Sequence, residues 1–129
     1  MHIKKYKFLM IALLLVIGLG ALPVHATSKG FTITSTWNYG NKSAYNPKED
    51  YNLTAVVNWN SSNKASHNEW FQIVNSNNEA RSGEYLFPYL ASDTIPEYSS
   101  LTHGYYYYLR ACREHIVDPS TIVSGTWEP

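Results

Sequence analysis

Hydrophobic and polar side chains alternate with a period of two along most of the chain after residue 26, and no segment there repeats its apolar residues at helical spacing. A period of two places successive side chains on opposite faces of a β-strand. The clearest example is residues 51–60, where we predict a strand with one buried and one solvated face. Its predicted buried positions are Tyr51, Leu53, Ala55, Val57 and Trp59.

Five further strands are predicted from the same alternation and from the abundance of β-branched and aromatic residues. They lie at residues 31–37, 69–75, 84–90, 103–117 and 121–127. Polar segments rich in Asn, Ser, Gly and Pro separate them, as expected for turns. Six or seven short strands without a helix predict an all-β fold, a small antiparallel β-sandwich.

The alternation also predicts which side chains of each strand reach the core. Residues 31–37 place Phe31, Ile33 and Trp37 on one face. Residues 84–90 contain Pro88, which cannot donate a ladder hydrogen bond, so an edge or bulged strand is predicted there. After a turn at residues 118–120, the last strand is predicted to return antiparallel. In the strand at 103–117 the inward set is Tyr105, Tyr107, Leu109 and Ala111, and the outward set is Tyr106, Tyr108, Arg110, Cys112 and Glu114.

The first 26 residues have a different pattern. Three lysines within the first seven residues precede an uncharged run at 8–24, which is the order of a secretory signal peptide. We predict cleavage between Ala26 and Thr27, which divides the chain into a signal peptide (1–26) and a single domain (27–129). The expected product is extracellular and has no stable membrane span. An uncleaved anchor is the alternative, because an apolar run of about 17 residues is at the lower limit for crossing a bilayer.

Removal of residues 1–26 would leave seven basic and ten acidic side chains, and no basic cluster. This charge disfavours nucleic acid and anionic lipid as partners. The chain has one cysteine, Cys112, so an intramolecular disulfide is excluded. In an oxidising compartment Cys112 could join two chains into a disulfide-linked oligomer, and the alternative is a half-buried thiol on a strand.

Candidate catalytic residues are few and are not arranged in a known motif. His67, His103 and His115 lack the spacing of metal ligands, although His67 could pair with Glu69 and His115 with Asp118. A nucleophile elbow and a glycine-rich phosphate loop are both missing from the sequence.

The adjacent carboxylates Glu49 and Asp50 lie beside Pro47 and Lys48, where a solvated turn is predicted in preference to an acid–base pair. We therefore predict that the protein is not an enzyme and uses no cofactor or metal.

Two parts of the chain resemble known families. Tyr-Leu-Arg-Ala-Cys-Arg-Glu at 108–114 and Val-Ser-Gly-Thr-Trp-Glu-Pro at 123–129 resemble the ending of a family of small secreted proteins from Bacillus and related Firmicutes, which carries a domain of unknown function. That resemblance implies a β-sandwich in a secreted Gram-positive protein and implies no activity. Residues 35–40, 43–45 and 54–58 show a weaker similarity to lactococcin-type bacteriocins, which implies an antimicrobial effector.

Aromatic residues are the remaining signal, because the chain has four tryptophans and eleven tyrosines. Aromatic side chains are favoured both in cores and in recognition surfaces. Trp59 and Trp127 are predicted in the core, and Trp37, Tyr106 and Tyr108 are candidate surface contacts. The expected function is therefore a secreted, non-catalytic binding protein for a protein, glycan or cell-envelope ligand, with a bacteriocin-like effector as the alternative.

Overall fold

The computed structural model describes residues 27–49, 52–64, 67–98, 103–115 and 118–129. These residues form eight β-strands and no helix, in two four-stranded antiparallel sheets whose inner faces share one core. The predicted all-β sandwich is confirmed, with eight strands in place of six or seven. The predicted signal peptide, with Ala26 at its end, lies outside the described residues.

The first sheet has the order β1-β8-β3-β6 and the second has the order β2-β7-β4-β5. Of the seven connections between consecutive strands, six pass from one sheet to the other and only β4 to β5 stays within a sheet. The strands are β1 (Lys29–Ser35), β2 (Asn46–Pro47), β3 (Thr54–Ser62), β4 (Glu69–Val74), β5 (Tyr85–Phe87), β6 (Ser92–Pro96), β7 (Tyr106–Arg113) and β8 (Thr121–Glu128).

The core lies between the two sheets and is rich in aromatic rings. Trp59 and Phe87 each pack edge-on against Phe71, with ring centroids 5.9 Å and 5.0 Å away. The predicted core positions of Trp59 and Trp127 are confirmed, since both side chains are fully buried. Large rings bury much apolar surface per residue, which compensates for the small number of leucines after residue 26.

Alternation predicts the buried faces correctly within strands and fails just outside them. Leu53 and Tyr105 are exposed because each precedes the first residue of its strand, β3 or β7, and is not held by the ladder. Trp37 likewise lies beyond β1 and does not continue the buried face of Phe31 and Ile33. The predicted edge strand near Pro88 is confirmed as β5, at the edge of the second sheet.

The last strand is antiparallel to both of its neighbours and does not pair with its predecessor. β8 pairs antiparallel with β1 and β3 in the first sheet, whereas β7 pairs with β2 and β4 in the second. The turn at 118–120 therefore joins the two sheets. Asp118 stabilises this turn through its carboxylate, which accepts a hydrogen bond of 3.0 Å from the backbone N–H of His115.

The Val-Ser-Gly-x-Trp segment of β8 is a packing element. Val123 and Trp127 are fully buried, and Gly125 lies beside a bulge in β3 between Trp59 and Ser61. A Cβ at Gly125 would meet the backbone oxygen of Asn58 at 1.8 Å, so only glycine fits there. The residues behind the resemblance to the secreted family thus serve the core in this chain.

A buried ion pair joins the two sheets next to the predicted turn at Glu49 and Asp50, of which Asp50 lies outside the described residues. Lys48, directly after β2, is only 2 % exposed, and its Nζ lies 2.7 Å from a carboxylate oxygen of the buried Glu97, directly after β6. Lys48 Nζ also donates to the backbone oxygen of Asn52. The sequence does not reveal this pair, because the strand that precedes Glu97, β6, is too short and too polar to be recognised.

Candidate functional site

The outer face of the second sheet carries the polar and aromatic side chains of β7. Tyr106, Tyr108, Arg110 and Cys112 alternate with the core residues of that strand and point away from the core. Residues 36–47 run alongside β7, with bridges or ladder pairs from Thr36 to Cys112, from Lys42 to Arg110 and from Pro47 to Tyr106. We call this surface the β7 face, defined by the four β7 side chains and residues 36–47.

A cavity of about 240 Å³ lies at one end of the β7 face. Trp70 of β4 stands directly opposite Cys112 in the β4–β7 ladder, and Trp37 follows the bridge from Thr36 to Cys112. The ladder therefore brings both tryptophans to the two sides of Cys112. We call this cavity the tryptophan cleft, and its lining consists of Trp37, Tyr39, Trp70, Glu84, Cys112, Arg113 and Glu114.

Two carboxylates and one guanidinium give the tryptophan cleft its polar groups. Glu114 accepts a hydrogen bond of 3.0 Å from Asn68 Nδ2, which fixes its orientation. Arg113 donates to the backbone oxygen of Asp118, so its guanidinium is held at the rim. Glu84 is exposed at the opposite side, before β5. The cleft thus combines aromatic surfaces with two carboxylate acceptors, of which Glu114 is held in place, and with one guanidinium.

Tyr39 forms the wall between the tryptophan cleft and the rest of the β7 face. Its backbone has a φ of 55°, in the left-handed region that is unusual for tyrosine. The ring lies over the guanidinium of Arg110, 4.6 Å from carbon to centroid. Burial and the nearby Glu84 carboxylate raise the pKa of Tyr39 well above its usual value, so its hydroxyl stays protonated.

Cys112 forms the floor of the cleft and is a shielded thiol. The residue is 7 % exposed, and its Sγ donates to the backbone oxygen of Trp37 at 2.8 Å. Burial, together with the negative charges of Glu69 and Glu84, raises the pKa of Cys112 above its usual value. The thiolate is therefore disfavoured, and with it the reactivity that disulfide exchange needs.

Each cation along the β7 face lies over a tyrosine ring. Lys42 Nζ lies 4.3 Å from the ring centroid of Tyr108, in addition to the contact of Arg110 with Tyr39. At the far end, Lys29 Nζ lies 4.9 Å from the Tyr45 centroid, and Tyr45 packs edge-on against Tyr106. These cation–π contacts hold the charges in place without neutralising them.

The three predicted surface aromatics all lie on the β7 face. Trp37 is 48 % exposed and Tyr106 is 58 % exposed, whereas Tyr108 is half-buried under Lys42. Sequence reasoning missed Trp70 and Tyr39 as their neighbours. The alternation of β4 does place Trp70 outward, but its pairing with Cys112 depends on the ladder register, which the sequence alone does not give.

The histidines pair differently from the prediction. Nδ1 of His67 lies 3.3 Å from an Asp118 carboxylate oxygen, and Nε2 of His115 lies 3.5 Å from Glu114. Glu69 is unavailable to His67 because alternation turns it into the core, where it accepts a hydrogen bond from the buried hydroxyl of Ser35. Among the described side chains, no group of three or more His, Cys, Asp or Glu is arranged to hold a metal ion.

Comparisons of the chain with protein-family models, with curated proteins and with solved structures found no match. Within the described ranges there is no helix long and apolar enough to span a membrane. The resemblances at residues 108–129 and 35–58 therefore stay predictions, and the geometry of the β7 face is the basis for assigning a function.

Proposed function

We propose that this protein is a secreted binding protein that recognises a saccharide at or outside the cell surface. The observation that carries the proposal is the tryptophan cleft, in which Trp37 and Trp70 flank a cavity that also contains the carboxylates of Glu84 and Glu114.

The chemistry of a sugar ring matches these groups. A pyranose presents C–H groups on its faces and hydroxyls around its edge. The apolar faces can stack on indole rings, while the hydroxyls donate to fixed carboxylates, as in most ligand sites with few but well-placed polar groups. Because Glu114 is already oriented by Asn68, its acceptor is ordered before a ligand arrives.

Binding to an array of bacterial cell-wall fragments and neutral oligosaccharides tests the proposal, with tryptophan fluorescence as a second readout for each saccharide that is retained. We expect Trp37→Ala and Glu84→Gln to weaken binding about tenfold or more, because each removes a contact at the cleft. Tyr98→Ala is the matched control, since Tyr98 is exposed to the same extent as Trp37 but does not line the cleft.

Thermal unfolding of each variant separates loss of binding from loss of fold. Both substituted side chains are exposed, so we expect unchanged melting temperatures. The proposal is wrong if no saccharide on the array is retained, or if Trp37→Ala binds as tightly as the unsubstituted protein.

The bacteriocin-like alternative is supported by the similarity at residues 35–58. Several residues of that region have structural roles: Ser35 donates to Glu69, and Ser43 Oγ accepts a hydrogen bond of 2.9 Å from the backbone N–H of Leu109. Inhibition of Gram-positive indicator strains by the purified protein would favour the alternative over the saccharide-binding function.

A further inference from the structure

We infer that the saccharide recognised by this protein is anionic, and that its phosphate or carboxylate groups bind Lys42 and Arg110 on the β7 face. This inference rests on the proposed function and names the class of its ligand. It extends the site from the tryptophan cleft along β7.

The first argument is that Lys42 and Arg110 are held in place by neutral groups only. Lys42 Nζ donates to the backbone oxygen of Ser76 at 3.2 Å and to Asn78 Oδ1 at 2.9 Å, and Arg110 donates through Nε and Nη2 to Gln72 Oε1. All of these acceptors are neutral. Across the described residues, neither cation contacts a carboxylate, so each keeps its full charge and at least one unused donor.

Two other cations of the molecule are paired with carboxylates. Lys48 is paired with Glu97, and Arg81 contacts Glu79 at 3.1 Å. Lys42 and Arg110 are instead held side by side on one surface without a carboxylate partner among the described residues. A cation fixed by a ring and by neutral acceptors has little entropy left to lose when an anion binds, which favours a charge-assisted hydrogen bond.

The second argument is the spacing of the face. Alternate residues of a strand lie about 7 Å apart, so Tyr106, Tyr108, Arg110 and Cys112 span about 20 Å. Exposed aromatic rings lie at both ends, Tyr106 with Tyr45 at one and Trp37 at the other. A chain of sugars can stack on these rings while its anionic groups reach the two cations between them.

Phosphate and carboxylate share this chemistry, and single-stranded nucleic acid also combines charge with flat rings. The observations favour a saccharide over nucleic acid, because Glu84 and Glu114 line the cleft and can accept hydrogen bonds from sugar hydroxyls, of which a nucleic acid strand carries few.

The test measures affinity of the purified protein for four probes by titration calorimetry. The probes are a phosphomannan, polygalacturonate, a neutral cello-oligosaccharide and oligo-deoxythymidine. We expect at least one of the two anionic polymers to bind more tightly than the neutral sugar, and its affinity to fall when NaCl rises from about 50 to 300 mM, because salt screens the contacts. The preferred polymer identifies phosphate or carboxylate as the recognised group.

Lys42→Gln and Arg110→Gln should each weaken anionic-polymer binding about tenfold, and should weaken it more than binding of the neutral sugar. Lys64→Gln is the matched control, since Lys64 is exposed beyond the end of β3 and is not part of the β7 face. If either variant is destabilised, the salt dependence of binding by the unsubstituted protein still shows whether charged contacts hold the anionic polymer.

Each adverse outcome has a distinct meaning. Equal, salt-independent binding of neutral and anionic sugars overturns this inference and leaves the proposed function standing. Binding of oligo-deoxythymidine as tight as that of the best anionic polymer overturns it in favour of a general polyanion surface. Failure of all three sugar probes, together with an empty array, overturns both the inference and the proposed function.

Discussion

Gly125 lies so close to Asn58 that a Cβ on the glycine would be 1.8 Å from the backbone oxygen of the asparagine. The contact sits at the bulge that bends β3 over β8, and the Phe31 ring occupies the remaining space, 3.0 Å from the same Cβ position. One missing methyl group therefore sets how closely the two central strands of the first sheet can approach.

Gly125→Ala should destabilise the protein by about 3 kcal/mol or more, since neither the backbone of Asn58 nor the buried Phe31 can move without disrupting packing. Gly30→Ala is the control, because its nearest neighbour, the Gly125 backbone oxygen, would lie at 3.8 Å, an ordinary contact. Urea unfolding compares the two variants. Equal midpoints would show that the close approach has no energetic consequence.

Removal of one partner of the buried Lys48–Glu97 pair should cost about 3–5 kcal/mol, because the other charge stays buried without its partner. We expect this for Lys48→Met, measured by chemical unfolding. The double variant Lys48→Met with Glu97→Leu should recover most of the loss, as two apolar side chains need no hydrogen bonds. A double variant that is less stable than the single one would contradict this explanation.

Stability should fall as pH rises from about 4.5 to about 7 because of Glu69. Burial raises the pKa of Glu69 from its ordinary value of 4.5 to about 7, opposed by the Ser35 hydrogen bond and Arg113 and reinforced by Asp118. Between pH 4.5 and about 7, Glu69 therefore keeps its proton in the folded state and has lost it in the unfolded state. The contribution of protonated Glu69 to the free energy of unfolding is fully present below pH 4.5 and is lost above pH 7. The change is about 3 kcal/mol.

Glu69→Gln should remove most of this pH dependence, because the amide is uncharged throughout. Unfolding free energies at intervals from pH 4 to pH 8.5 would measure it, and Asp93→Asn, at an exposed carboxylate, is the control. If the unfolding free energy of Glu69→Gln changes with pH as steeply as that of the unsubstituted protein, other groups cause the pH dependence.

Cys112 should react slowly with thiol reagents in the folded protein, since its sulfur is shielded and its pKa is raised. We expect a monomer on non-reducing gels, and about a hundredfold faster alkylation once the chain is unfolded, as the open state is rare in a stable protein. A saccharide in the tryptophan cleft should slow the reaction further. A disulfide-linked dimer that Cys112→Ser abolishes would instead support the oligomer predicted from the sequence.

The sequence predicts most of the fold because a period of two is a strong signal in strands with one buried face. Ala55, Val57, Leu109 and Ala111 occupy the positions that alternation assigns to them. β2 and β6 escape detection for a physical reason. They are short edge strands with Pro47 or Pro96 at one end, and their stability comes from their neighbours in the sheet.

The site is predicted only in part. Exposed aromatics such as Trp37 and Tyr106 follow from their positions in or beside strands, but the tryptophan cleft depends on a contact between segments far apart in the chain. Trp70 and Cys112 meet because of the register between β4 and β7. Register is fixed by the whole set of core contacts, so a reading of one strand at a time cannot supply it.

The side chains of the β7 face and those of the core occupy alternating positions of one strand, and this separation affects how the protein can evolve. A substitution at Tyr106 or Arg110 alters what the surface recognises while the core contacts of Tyr107 and Leu109 persist. Single substitutions on this face can therefore change ligand specificity with little effect on the stability of the fold. Descendants of one ancestor would keep the odd-numbered positions of this strand and diversify at the even-numbered ones.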